Sequence, residues 1–306
     1  MLNNSAVRRG RPIIFGEVLF DQFSESRAVL GGAPFNVAWH LQGFGLEPLF
    51  ISRIGQDSLG KKVLEKMHSW GMDIGGIQLD STYPTGTVRV EIESDEPRYT
   101  IMPEQAYDYI DASLAMQAAK PIQPFLLYAG TLALRCSTSH QAWQQLAEET
   151  GVPIFTDINL RDPWWKPETV EKLLKEARWA KMNQQELAVV TQKDNLLEKN
   201  ITEAASKLCR DVNCSLVIVT QDSRGALLTS GDETWQGEPV PVENIIDTVG
   251  AGDAFSAVNI AGIILNWDPP VILERSLEFA SQIVKIRGAT TDNRSLYDQF
   301  IRRWKM

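Results

Sequence analysis

Asp247-Thr248-Val249-Gly250-Ala251-Gly252-Asp253-Ala254-Phe255 is the stretch from which the rest of the chain is read. It follows a β-type run, Val240 to Ile246, and opens an apolar run, Ala254 to Leu265, that reads as a buried helix. Gly250 and Gly252 let the backbone turn tightly and approach a ligand with no side chain between. The first N–H groups of the following helix, around Ala251, have no partner inside the helix. Their partial positive charge suits a phosphate. Asp253 stands at the same spot, where a carboxylate beside a phosphate is electrostatically unfavourable. It makes sense there if it accepts the proton of a hydroxyl attacking a phosphoryl group. An Asp in this place also reads as a cap of its own helix.

Length and composition bound the reading. A chain of 306 residues fits one large α/β domain or two ordinary ones, and 43% hydrophobic content supports a substantial core. A net charge of −9 argues against nucleic acid as a partner, which needs clustered Lys and Arg. Cys136, Cys209 and Cys214 lack metal-ligand spacing and suit a reduced, cytoplasmic setting. Met1 to Arg11 is polar and basic with no apolar segment behind it, unlike a secretion signal. No apolar run reaches the ~18 residues of a membrane span, so no membrane partner is expected.

Strands and helices alternate. Pro12 to Phe20, Leu49 to Ile54, Phe125 to Ala129, Val152 to Thr156, Ala180 to Met182 and Leu216 to Thr220 read as short buried strands. Gly31-Gly32 opens a helical segment that Gly43 and Gly45 end. Asp57 caps a helix running to Trp70, with Gly71 as its stop. Further helical stretches are Ser139 to Thr150, Pro167 to Arg178, Glu186 to Thr191 and Ile201 to Asp211. This rhythm predicts an α/β fold with a mostly parallel, doubly wound sheet flanked by helices. Thr85 to Glu93 and Arg98 to Met102, joined by Ser94-Asp95-Glu96-Pro97, read as a hairpin outside the main sheet. The expectation is a single domain over residues 1–306, with a small β lid contributed by about 16–30 and 83–108.

The opening nonapeptide resembles the C-terminal signature of the PfkB/ribokinase family of sugar kinases, roughly Asp-Thr-Thr-Gly-Ala-Gly-Asp-Ala-Phe. Gly31-Gly32-Ala33-Pro34-Phe35-Asn36-Val37-Ala38 resembles that family's N-terminal signature, Gly-Gly-Ala-x-x-Asn-Val-Ala. Two glycines bring backbone N–H groups close to a sugar, and Asn36 can both donate to and accept from hydroxyls. A helix start with a buried Asn36 is the plainer reading of the same residues. In the family, the positions matching Asp21, Gly32 and Asn36 contact the sugar, with Gly31 alongside.

Weaker motifs lie between. Asp157-Ile158-Asn159-Leu160-Arg161-Asp162-Pro163-Trp164-Trp165 looks like the Asp-x-Asn-x-Arg-x-x-x-Trp segment of fructokinase-like members. It follows a strand, where open α/β sheets place their sites, so Asn159 and Arg161 are candidates facing substrate or phosphate. A polar loop stitched together by Asp157 and Arg161 is the alternative. Asn183-Gln184-Gln185-Glu186 matches the family's Asn-x-x-Glu, whose Glu helps organise Mg²⁺ and phosphate, partly through water. The same spacing makes a helix capping pattern, and both readings can hold together. Thr220-Gln221-Asp222-Ser223-Arg224-Gly225-Ala226 resembles the Thr-x-Gly-x-x-Gly-Ala turn beside the nucleotide phosphates, with Asp222 in place of the first glycine. Phe279-Ala280-Ser281 and Arg287-Gly288-Ala289-Thr290 resemble segments lining the adenine pocket. In many members the later segment helps hold a monovalent cation such as K⁺, for which Asp247 is the candidate here.

Two features depart from familiar patterns. Gly55-Gln56-Asp57-Ser58-Leu59-Gly60-Lys61-Lys62 nearly matches a P-loop, but Lys62 stands where Mg²⁺ needs a Ser or Thr. It reads better as a strand–turn–helix junction capped by Asp57. At the end of the second lid strand, Met102-Pro103 stands where many fructokinase-like members carry Tyr-Arg, and Glu104 follows. His40, His68 and His140 lie in helical stretches with no spaced partner, and no hydrolase triad is present.

The resemblance runs from Gly16 to about Thr290. It implies a ribokinase-like fold and transfer of the γ-phosphoryl group of ATP, with Mg²⁺, to a primary hydroxyl of a small sugar. The acceptor would be fructose or a related ketose or sugar acid. Asp253 would be the general base, and the backbone of Gly250, Ala251 and Gly252 the anion hole. Asn183, Thr220, Gly225 and Gly288 would contact the nucleotide. A kinase of a nucleoside or vitamin precursor shares the same fold, and a silent sugar or nucleotide sensor is the alternative of another class. The exposed edge of the lid hairpin suits a homodimer.

Overall fold

The computed structural model describes residues 10–24, 27–93, 96–193 and 198–306. The segment Met1 to Arg9 and the Ser94-Asp95 turn lie outside these residues. The chain opens with β1 (Arg11–Phe15), whose Ile13, Ile14 and Phe15 are fully buried. The expected strand Pro12 to Phe20 is divided in two. Gly16 adopts φ +156°, a conformation closed to most side chains, and the chain swings out into β2 (Leu19–Ser24). Then follow β3 (Arg27–Gly31), α1 (Ala33–Gly43), β4 (Leu49–Gly55), α2 (Ser58–Trp70), β5 (Ile77–Asp80), β6 (Gly86–Glu93) and β7 (Glu96–Ile101). Next come α3 (Ala112–Ala119), β8 (Pro124–Gly130), α4 (Ser137–Thr150), β9 (Ile154–Asp157), α5 (Pro167–Glu176), β10 (Ala177–Asn183), α6 (Gln184–Thr191) and α7 (Glu198–Asp211). The chain ends with β11 (Leu216–Thr220), β12 (Ala226–Thr229), β13 (Thr234–Gly237), α8 (Ala251–Ile264), α9 (Pro269–Ile283) and α10 (Arg294–Trp304).

Two sheets result. The larger has nine strands in the order β13-β12-β11-β10-β9-β8-β1-β4-β5. It is parallel except for the β11–β12 and β12–β13 pairs, so β1, β8, β9, β10 and β11 all end on one edge. The smaller sheet, in the order β3-β2-β6-β7, contains the expected hairpin Val88↔Ile101 and pairs it with the 19–31 hairpin.

The apolar run after Gly252 becomes α8, with Ala254, Phe255, Ala257, Val258, Ile260 and Ala261 buried at 2% exposure or less. A helix apolar on all sides needs cover on all sides. Here α1, α9 and the face of the larger sheet provide it. An aromatic cluster closes the core beyond it: Trp39 stacks on Trp70 at 4.9 Å, and Phe279 meets His40, Phe44, Tyr297 and Phe300.

Two expectations fail. Val240 to Ile246 is not a strand: its Val240, Ile245 and Ile246 are exposed, and the N–H groups of Ile246 and Asp247 both turn to Val284 O. Pro239 and Pro241 bring no N–H to a ladder, which removes a sheet edge as its destination. The helix from Pro167 stops at Glu176, and Arg178 already lies in β10.

The P-loop look-alike is a capped junction. Asp57 accepts from Gly60 N at 2.8 Å at the start of α2 and from Thr85 N and Oγ1, both at 2.8 Å, just before β6. One carboxylate therefore starts a helix and pins the root of the smaller sheet. Replacing Asp57 by Ala should cost roughly 2–4 kcal/mol, the sum of a lost cap and stranded donors at Thr85. Urea unfolding monitored by circular dichroism would read this as a lower midpoint.

Candidate active site

Seven strands of the larger sheet run parallel and end on one edge, and polar residues follow just beyond β1, β9, β10 and β11. After β1 comes Glu17, and its backbone oxygen lies 2.7 Å from where a Cβ on Gly32 would stand. Gly32 holds φ +107° at the start of α1, so glycine is required there on both counts. A Cβ on Gly31 would meet nothing within 4 Å, so Gly31 has no steric need of its own.

Gly250 starts α8 at φ +79°, with a would-be Cβ only 2.3 Å from that of Ala289. Asp253 sits in the first turn of α8. It does not serve as a cap. Its Oδ2 accepts from Asn36 Nδ2 on α1 at 2.7 Å, across 217 residues of sequence. The Oδ1 of Asn36 is buried without a partner. Burial pushes the Asp253 carboxyl up to about 6, against the Asn36 bond that favours the charged form; Asp157 adds a further upward push.

Asp157, at the end of β9, does not pair with Arg161. It takes Lys181 of β10 at 3.0 Å and Ser256 of α8 at 2.7 Å. Ser256 Oγ also lies 3.0 Å from Gly252 O, so the pair is tied to the glycine turn. Lys181 Nζ lies 3.3 Å from where a Cβ on Gly252 would stand, a cation directly beside the turn. It is 7% exposed, and burial opposes its charge while Asp157 restores it. Arg161 is exposed at the cleft and holds down the carboxyls of Glu17, Asp21 and Asp253. Burial raises Asp21 nonetheless. Asn159 has φ +41°, a left-handed conformation that Asn tolerates, and Thr131 Oγ1 donates to its carbonyl at 3.2 Å.

Asn183 and Glu186 form a complete capping box at the start of α6. Glu186 Oε2 accepts from Asn183 N at 2.8 Å, and Oε1 accepts from Leu160 N at 2.7 Å. Each oxygen keeps a free lone pair, which fits a metal reached through water better than one bound directly. Asp247 accepts from Gly288 N at 3.0 Å and Val249 N at 3.1 Å, joining the Asp-Thr-Val-Gly turn to the later segment.

At the β11 end, Thr220 leads into a turn where Gly225 holds φ +88° and a Cβ would overlap Gly237 O at 2.0 Å. Asp222 takes φ +51°, the left-handed conformation for which glycine is better suited. Thr220 and Gly225 thus lie two strands along the edge from β9, apart from the Asn36–Asp253 pair. Phe279 is fully buried and packs in the aromatic core. His40 is a core residue, bonded to Tyr297 Oη and Ala289 O, with burial holding its ring down at about 4.

Sequence reading passed over Glu17, Lys181 and Arg135. A lysine inside a strand as buried as β10 was a usable signal, since a buried charge needs a partner.

The pfkB family carbohydrate kinase profile matches residues 14–296. The chain belongs to this family. Fructokinase-2 of Oryza sativa subsp. japonica is 28% identical over 275 residues, covering 81% of this chain and 79% of that protein. The ATP-bound fructokinase of Xylella fastidiosa has the same ribokinase-like fold, with a TM-score of 0.83 at 19% identity over 97% of this chain and 100% of that one. Aminoimidazole riboside kinase of Salmonella enterica, bound to its riboside and an ATP analogue, gives 0.79 at 21% over 95% and 99%.

The raised carboxyls of this pfkB kinase have a consequence for stability. Asp253 moves from 3.8 to about 6 and Glu17 from 4.5 to about 7, so between pH 4 and 7 the folded state binds more protons than the unfolded one. Their burial therefore costs stability, fully so above pH 7, and the cost fades as pH falls towards 4. Asp253→Asn keeps an acceptor for Asn36 and removes that charge. Its melting temperature at pH 8 should exceed that of the wild type by roughly 2–6 °C, with the gap narrowing at pH 5. Paired thermal melts at the two pH values check this.

Proposed function

We propose that the chain transfers the γ-phosphoryl group of ATP to a primary hydroxyl of a small sugar, with Asp253 as the base that takes the hydroxyl proton. The observation that carries this reading is the Asn36–Asp253 bond of 2.7 Å. It fixes a carboxylate at the glycine turn, and a carboxyl near 6 is well matched to proton transfer at neutral pH. Asp21, Gly32 and Asn36, with Asn159 and Arg161 across the cleft, would hold the sugar; Gly31 lines the same side. Asn36 would orient Asp253 with Nδ2 and meet a sugar hydroxyl with Oδ1.

The backbone N–H groups of the Gly250-Ala251-Gly252 turn would receive the γ-phosphoryl oxygens at a helix start. Lys181 would add positive charge beside them, and Asp157 would keep it charged. Asn183, Thr220, Gly225 and Gly288 would line the nucleotide side. Mg²⁺ bound with ATP would draw off phosphate charge, and Glu186 would hold it through water. Asp247, braced against Gly288, is the candidate for a K⁺ site. The smaller sheet would act as a lid, shutting out water that would otherwise accept the phosphoryl group.

Losing a general base typically costs ~10²–10⁴-fold in rate. Asp253→Asn should therefore lose at least ~100-fold in kcat with Mg·ATP and a sugar acceptor, while its ATP affinity by calorimetry stays within about threefold. Turnover equal to wild type in the variant would remove Asp253 from the chemistry.

A further inference from the structure

Beside the candidate acceptor pocket, Glu17 Oε2 and Arg135 Nη1 are buried with no hydrogen-bond partner, and Tyr107 Oη, likewise without a close partner, draws only on Arg135. All three groups are deeply enclosed, with Glu17 3% and Tyr107 0% exposed and the Arg135 side chain 5% exposed. They also share a field: burial opposes the charged forms of both Glu17 and Tyr107, and Arg135 favours both, less strongly. Buried polar groups are normally satisfied, and a cluster of orphans marks a place where something else completes the bonding.

Arg135 is built into position from several sides. It follows β8, and its Nε and Nη2 each lie 2.7 Å from an oxygen of Asp108. Nη2 also donates to Met102 O at 2.7 Å, just past the end of β7. Its guanidinium stacks over Trp164 at 4.3 Å and Tyr107 at 5.1 Å. Bidentate pairing and two aromatic faces leave little freedom, and Nη1 is the arm not spent on them. Arg135 thus brings a fixed donor to the strand end that carries Met102-Pro103.

Glu17 is the complementary acceptor. Its backbone flanks Gly32, and its carboxyl feels Asp253 and Arg161, the residues on either side of the candidate pocket. The charges around that pocket are uneven. Asp108 neutralises Arg135, and Asp157 neutralises Lys181. Arg161 is left facing Glu17, Asp21 and Asp253. A ligand that brings a further carboxylate would face repulsion there, whereas hydroxyls satisfy both Glu17 and Arg135.

We propose that Glu17 and Arg135 are specificity-determining residues of the acceptor pocket, Glu17 accepting from and Arg135 donating to hydroxyls of an uncharged sugar, and that together they exclude sugar acids. The inference rests on the kinase reading above and narrows it to one substrate class.

The test compares Mg·ATP turnover on D-fructose, D-glucose and D-ribose with turnover on D-gluconate and D-ribonate. It is run on the wild type, Glu17→Gln and the paired variant Arg135→Met with Asp108→Asn, which leaves no lone buried charge. The wild type should prefer an uncharged sugar over both acids by at least ~100-fold in kcat/KM, the scale of a buried group left unpaired. Each variant should raise the KM for that sugar about tenfold or more while the KM for ATP stays within about twofold. If the paired variant does not fold, Arg135→Lys replaces it, with the same rise expected because Lys cannot supply the fork. Preference for an acid by the wild type overturns the inference, as does an unchanged sugar KM in the variants. Those results leave the kinase reading standing. Folded wild type that phosphorylates none of the five counts against the kinase reading itself, and the inference falls with it.

Discussion

The hydrogen bond from Asn36 to Asp253 is the constraint on which the site depends. It joins the first turn of α8 to the first turns of α1, two helices that the fold packs side by side. Asn36 can reach Asp253 because Gly32 and Gly250 both hold left-handed backbone where the two helices begin. The apolar body of α8 then makes this approach rigid, because a helix buried on every face has no room to slide.

The same few residues carry an electrostatic conflict. Glu17 and Asp157 are buried carboxyls at the ends of β1 and β9, with β8 between them, and Asp253 stands at the start of the facing helix α8. Lys181 resolves the conflict for Asp157 by direct contact at 3.0 Å. Glu17 and Asp253 are left with raised values and reduced stability at neutral pH. Folding energy from α8 and the aromatic core offsets this cost, and the carboxyl of Asp253 keeps a raised value at the glycine turn, as the proposed role of proton acceptor requires.

Much of this was legible from the chain. Glycines at 32, 225 and 250 could be read because each is demanded by a local turn, and local demands leave a mark at fixed spacing. The alternation of strands and helices exposed the parallel sheet and, with it, the edge on which the site forms. What could not be read was long-range pairing. Nothing near Asp157 in sequence says that its partner is Lys181 and not Arg161, and nothing near Arg135 points to Asp108 and Met102 O. Val240 to Ile246 had the composition of a strand, but Pro241, the preceding Pro239 and the exposed isoleucines suit a segment crossing the surface.

The most direct test of the account is the pH dependence of kcat/KM for an uncharged sugar acceptor, measured from pH 5 to 8.5 at saturating Mg·ATP. A carboxylate base held by Asn36 predicts an acidic limb with a step near 6, below the step near 7 that a sugar-binding Glu17 adds. In Asn36→Leu that limb should move to higher pH, because the bond that favours the charged carboxylate is gone. A rate that stays flat down to pH 5, or a limb that Asn36→Leu leaves in place, would contradict the account.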